Sequence, residues 1–161
     1  LASRLIEAGV HFVTVRLRPA EFDFDTHLDN FSKLSALLPP FDKGLSSLID
    51  RLKERGLFRS TGIMVAGEFG RTPKINSQGG RDHWARAMFA LMAGGDIEGG
   101  QVIGETDDRA GAPVGKGYSP DDLAASFFQN IGINSKHEFQ TNIGRPINLV
   151  RDGKPIAQLF S

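Results

Sequence analysis

Two short stretches hold an unusual density of groups able to bind charge. FDFDTH, residues 22–27, sets Asp23, Asp25 and His27 at alternate positions. GEFGRTPKINSQGGRDHW, residues 67–84, then offers Glu68, Arg71, Arg81, Asp82 and His83 among glycines. In extended backbone Asp23, Asp25 and His27 project to one side, and Phe22 and Phe24 to the other. Two carboxylates and an imidazole gathered on one side repel unless a positive charge sits between them. Carboxylate and imidazole together suit zinc, manganese or iron, whereas carboxylates alone favour magnesium or calcium. The bland alternative is a solvated turn in which His27 caps a neighbouring group.

In GEFGRTP, glycines on both sides of Glu68-Phe69 imply a close backbone approach or an unusual φ. Glu68 is placed to bind a metal, and the planar fork of Arg71 suits an anion. A Glu68–Arg71 salt bridge on a turn explains the same pair. In GGRDHW, Asp82 is placed to orient an imidazole, as metal-bound histidines require. A loop histidine satisfied by its neighbours is the alternative. His11 and His137 have no acidic company at a strand end and read as structural.

These groups need elements to carry them. LASRLIEAG has the pattern of a helix ending at Gly9, and VHFVTVRL (10–17) that of a strand covered on both faces. PPFDKGLSSLIDRLKERG (39–56) predicts a helix with prolines in its first turn. Its stripe is Phe41, Leu45, Leu48, Ile49 and Leu52, and Gly56 is its stop. GIMVAGE (62–68) predicts a central strand, AMFALMAGG (87–95) a strand late in the segment, and QVIGET (101–106) another. Ser119, Pro120 and Asp122 mark a helix start, and Gly132 its end. INLVRDGKPIAQLF (147–160) predicts a terminal hairpin turning at Asp152-Gly153. Alternating helices and strands imply an α/β fold with a mostly parallel sheet, whose ligands gather beyond the carboxyl ends of the strands.

The totals narrow the function classes. The 161 residues suit one domain or part of a larger one. Lys+Arg and Asp+Glu balance at 19 each, and no basic stripe marks a nucleic-acid binder. No apolar run approaches the roughly 20 residues of a membrane span. With no cysteine, disulfides and thiolate metal sites are excluded. The chain opens on Leu1 within a helical pattern, so it is expected to be the C-terminal piece of a longer protein.

DTH, the LLPP helix, GEFGRTPKIN, GRDHW, AGGDIEGGQVIGETD and SPDDLAASFFQNIGI together resemble the C-terminal half of a large bacterial family, the domain-of-unknown-function family fifteen-oh-one. That family is similar to sulfatases and to the alkaline phosphatase superfamily. The resemblance implies a three-layer α/β/α sandwich and a centre for a divalent metal: zinc, manganese, calcium or magnesium. By position Asp25 and His27 look like a carboxylate–imidazole pair, Glu68 like a ligand at a strand end, and His83 like the late histidine. It implies hydrolysis of a small-molecule or glycan sulfate or phosphate ester, with Arg71, Arg81 and Asp82 serving the reaction. It also implies export and a missing N-terminal half of the same chain. Three departures stand out. The superfamily's Asp-x-x-x-His is Asp-x-His here, its Asp-His pair is Glu68-Phe69, and its nucleophile belongs to the absent half. The competing expectation is a non-catalytic module that keeps the fold and a metal or ligand site.

Overall fold

The computed structural model describes residues 1–16 and 23–160. Leu17, at the end of the strand expected over 10–17, and Phe22, at the start of FDFDTH, lie outside the described residues. The chain divides into two compact units: Leu1–Phe58 with Glu68–Met88, and Arg59–Gly67 with Phe89–Ser161.

In the first unit, helix α1 (Ala2–Glu7) ends with Gly9 at φ 88°, whose N–H bonds the Ile6 carbonyl. Helix α2 (Asn30–Glu54) carries the expected stripe, with Leu52 buried and Phe41, Leu45, Leu48 and Ile49 half-buried. Its start, however, lies well before the prolines. Pro39 and Pro40 stand inside it and leave the carbonyls of Ser35 and Ala36 without their i+4 donors. The turns before the prolines are secured at their start by other means. Asp29 turns the chain at φ 50°, and the Asn30 N–H bonds the Gly79 carbonyl at 3.0 Å. Strands β2 (Gly70–Arg71) and β3 (His83–Trp84) form an antiparallel ribbon pairing Gly70 with Trp84 and Arg71 with His83. The glycine at 70 is required by close approach, since a Cβ there would run into the Ala87 carbonyl.

In the second unit, β1 (Ile63–Ala66) pairs antiparallel with β4 (Ala90–Ala93), from Ile63↔Ala93 to Ala66↔Ala90. Helix α3 (Pro120–Asn130) starts on a complete capping box. The Asp122 N–H bonds Ser119 Oγ at 3.1 Å, and Asp122 Oδ2 accepts from the Ser119 N–H at 2.8 Å. At its other end Asn130 donates to the Gly94 carbonyl and accepts from the Asp96 N–H, tying α3 to the turn after β4. Strands β5 (Glu138–Gln140) and β6 (Pro146–Asn148) make a hairpin closed by Thr141 and Arg145.

These pairings overturn the expected three-layer sandwich with a mostly parallel sheet. Among the described residues every named strand belongs to a two-stranded antiparallel sheet. A parallel pair needs a long crossover, usually helical, between its strands. Residues 67–89, between β1 and β4, contain no helix, and the chain returns antiparallel. The site therefore does not lie at the carboxyl ends of parallel strands. Residues 10–16 form no strand, and in 101–106 only Thr106 pairs, in a single bridge to Pro113. The terminal hairpin expected over 147–160 also fails: Ile147 and Asn148 pair with β5, the Leu149 and Val150 N–H groups bond the His137 and Ser135 carbonyls, and two later N–H groups go to α3. Lys154 N–H bonds Asp122 Oδ1 at 2.8 Å, and Ile156 N–H bonds Ser126 Oγ at 2.9 Å.

Candidate metal centre

The aspartate-threonine-histidine segment is tightly turned and not extended, with Thr26 N–H on the Phe24 carbonyl at 3.0 Å and His27 N–H on the Asp25 carbonyl at 3.2 Å, yet its side chains still alternate in their surroundings. Phe24 packs edge-on against Phe41 of α2, with ring centroids 6.4 Å apart. Thr26, only 1% exposed, donates from Oγ1 to Asn30 Oδ1 at 2.6 Å. Asp25 and His27 take the other side. Leu28 bridges to Gly79, Arg81 N–H bonds the Thr26 carbonyl at 2.9 Å, and the two charged stretches run side by side. A Cβ on Gly80 would collide with the His27 carbonyl, so the approach depends on glycine.

This arrangement brings three donor atoms together. His27 Nε2 lies 3.1 Å from His83 Nε2, His83 Nε2 lies 3.1 Å from Asp25 Oδ1, and Asp25 Oδ1 lies 3.1 Å from His27 Nε2. The three atoms outline a nearly equilateral triangle. Ligands about 2.0 Å from a tetrahedral zinc stand about 3.3 Å apart, so the triangle is close to one face of such a shell. No other group of three carboxylates and imidazoles converges in this way among the described residues.

The partners of His27 decide which way its lone pair points. Its Nδ1 is 2.9 Å from Asp82 Oδ1. An ionised carboxylate only accepts, so Nδ1 carries a hydrogen, and in the tautomer that leaves Nε2 bare the lone pair points into the triangle. There it faces Asp25 Oδ1, another acceptor. The hydrogen bond from His27, followed by that from Asn76, holds the Asp82 carboxyl below its ordinary value. At Asp25 desolvation works upward. Hydrogen bonds from His83 and Arg71, with the charges of Arg71 and His27, outweigh it and leave the carboxyl lowered. Both groups are therefore anionic at neutral pH.

The remaining expected residues surround the triangle. Arg71 stands across the ribbon from His83, and neighbours paired in this way share a face. Its guanidinium reaches Asp25 Oδ1 through Nη1 and Glu68 Oε1 through Nη2, the latter at 3.2 Å. Glu68 thus joins the site through Arg71 and is not a member of the converging group. Arg81 donates from Nη1 to the Thr72 carbonyl at 3.0 Å. Asp82 orients an imidazole as expected, but the ring belongs to His27 and not to the adjacent His83. Phe69 lies against the His83 ring at 4.3 Å between centroids. Asp23 accepts from the Phe24 N–H, and Asp29 occupies the turn before α2.

Sequence reasoning passed over Asn76 and Thr72. The Thr72 N–H bonds the Asp82 carbonyl at 2.8 Å, and the Asp82 N–H bonds Thr72 Oγ1 at 3.0 Å, which fixes the backbone of Asp82. Asn76 bonds both His27 and Asp82. The turn-forming run INSQGG was the available signal, since asparagine side chains bind backbone N–H groups a few residues ahead.

The triad, half-exposed and backed by an oriented carboxylate, has the donors of a divalent-metal site with room for further ligands. No curated protein and no solved structure matches the chain. A family model does match, over residues 1–160, and the chain belongs to that family, described as protein of unknown function (DUF1501).

Proposed function

We propose that Asp25, His27 and His83 hold a divalent transition metal ion, zinc by preference. We further propose that in the intact protein this centre serves hydrolysis of a sulfate or phosphate ester. The carrying observation is the edge between His27 Nε2 and Asp25 Oδ1, 3.1 Å apart. With Nδ1 committed to Asp82, a bare Nε2 on that edge stands against an anionic oxygen, and either a proton or a metal ion placed between them relieves it. Two imidazoles and one carboxylate are the ligand set of several catalytic zinc sites.

The substrate class rests on the likeness of the family, whose motifs GEFGRTP and GRDHW the chain carries, to sulfatases, and the antiparallel fold lends it no support. Bound there, a divalent ion supplies Lewis acidity toward an ester oxygen. The chain's own residues do the rest. Asp82 keeps His27 in the tautomer that offers Nε2, and Phe69 supports the His83 ring. Arg71, 21% exposed at its side chain, brings a positive fork to the rim, where it suits an anionic oxygen.

One observation favours a second reading, a binding module without turnover. The guanidinium of Arg71 is already engaged by two carboxylates, Asp25 and Glu68. The two readings separate when zinc- or manganese-loaded full-length protein is assayed on aryl sulfate and aryl phosphate. Turnover that disappears in His83→Ala supports the hydrolase. One bound ion per chain with no turnover across the ester panel supports the binding module.

A further inference from the structure

Beneath the triad lies an asparagine whose amide uses both of its ends. Asn76 Nδ2 donates to the His27 carbonyl at 3.0 Å and to Asp82 Oδ1 at 3.1 Å. Its Oδ1 accepts from the N–H groups of Gln78 and Gly80, each at 2.9 Å. The orientation of this amide is forced. Flipped, its oxygen would face two acceptors and its nitrogen two donors, and all four bonds would be lost. The same side chain thus closes the 76–80 turn and bridges two parts of one functional pair: the backbone of His27 and the carboxylate on that ring's Nδ1.

We propose that Asn76 is a positioning residue for the candidate metal centre: by holding Asp82 and the His27 backbone with one amide, it fixes the His27 ring with Nε2 turned toward Asp25 and His83. The part of this assignment that concerns metal affinity rests on the metal reading above; the part that concerns the ring does not. Without Asn76, Asp82 Oδ1 keeps only the His27 hydrogen among its side-chain donors, and the carboxylate is free to swing toward water. The ring then loses the partner that selects its tautomer.

Asn76→Asp isolates the donor half. It is isosteric, and one carboxylate oxygen still accepts from Gln78 and Gly80, so the turn keeps its closure. The other oxygen now opposes the His27 carbonyl and Asp82 Oδ1. The readout is the tautomer of His27 in the full-length, metal-free protein, from two-bond proton–nitrogen correlations of the labelled imidazoles. Zinc affinity is then measured by competition with a chromophoric chelator, and folding by circular dichroism. The expected result is Nδ1–H in the parent, mixed tautomers in Asn76→Asp, and a zinc affinity lower by about 10–100-fold. A folded Asn76→Asp protein with unchanged tautomer and unchanged zinc affinity overturns the assignment. Should that variant not fold, Asp82→Ala carries the test. It must reproduce both changes, and an unaltered His27 tautomer in it overturns the assignment equally. A parent protein that binds no zinc, yet shows the tautomer change in Asn76→Asp, sustains the role of Asn76 while removing the metal reading.

Discussion

Of the three aspartates whose carboxyls are held below the ordinary value, Asp122 and Asp25 sit in opposite kinds of surroundings. Asp122, at the start of α3, accepts from the Lys154 N–H at Oδ1 and from the Ser119 N–H and hydroxyl at Oδ2. Every neighbour in that set donates, and the cluster is complete as it stands. Asp25 has donors too, in Arg71 and His83, but the same oxygen also stands 3.1 Å from His27 Nε2, a ring whose other nitrogen is already committed to Asp82. One carboxylate has each oxygen matched to backbone and hydroxyl donors; the other gathers Arg71 and two imidazole nitrogens on the single oxygen Oδ1. A cluster of polar groups signals a site when its members point acceptors at one another, and a cap when donors and acceptors match.

The comparison can be broken most severely at Gly80. Gly80→Ala forces a methyl into the His27 carbonyl, so the DTH segment and the 76–83 loop must separate. Zinc binding should vanish, with a loss of stability above about 3 kcal/mol, measured by titration and denaturant unfolding. Next in size, His27→Ala or His83→Ala should weaken zinc by more than the ~100-fold upper range for changes outside the ligand set, with thermal stability of the metal-free protein little altered. Ser119→Ala should do the reverse. It removes the cap of α3 and costs about 0.5–2 kcal/mol in unfolding free energy, with zinc affinity unchanged.

The smallest effect is a pH dependence at the cap. Backbone bonds from Lys154 and Ser119 lead the causes that lower the folded pKa of Asp122, ahead of the Ser119 hydroxyl, while desolvation opposes them. The stabilisation is present above the unfolded value near 3.8 and is lost as pH falls through the folded value. Unfolding curves of the parent should therefore weaken toward strong acid, and Asp122→Asn should flatten that part of the dependence.

Local features were legible in the sequence, and partnerships were not. The stripe Phe41 to Leu52 and the Ser119-Pro120-Asp122 start appear where their spacing places them, because period and capping are local properties. Ile63–Ala66 and Ala90–Ala93 were legible as strands, yet nothing in an apolar run states its direction of pairing. The prolines misled because a proline disfavours a helix interior without forbidding it when neighbouring structure holds both sides. At the site, Asp25, His27 and His83 could be picked out by type and spacing. The exchange that gives Asp82 to His27, and the part played by Asn76, depend on how two distant loops pass each other.

The most direct test of the metal account is X-ray absorption at the zinc edge on the loaded full-length protein, beside the Asp25→Ala, His27→Ala and His83→Ala variants. The account requires one zinc per chain in the parent, with two imidazole nitrogens and a carboxylate oxygen at about 2.0–2.2 Å, and loss of one of those scatterers or of the metal in each variant. A parent that takes up no stoichiometric zinc or other divalent transition metal, or a bound ion whose imidazole scattering is the same in His27→Ala and His83→Ala as in the parent, contradicts it.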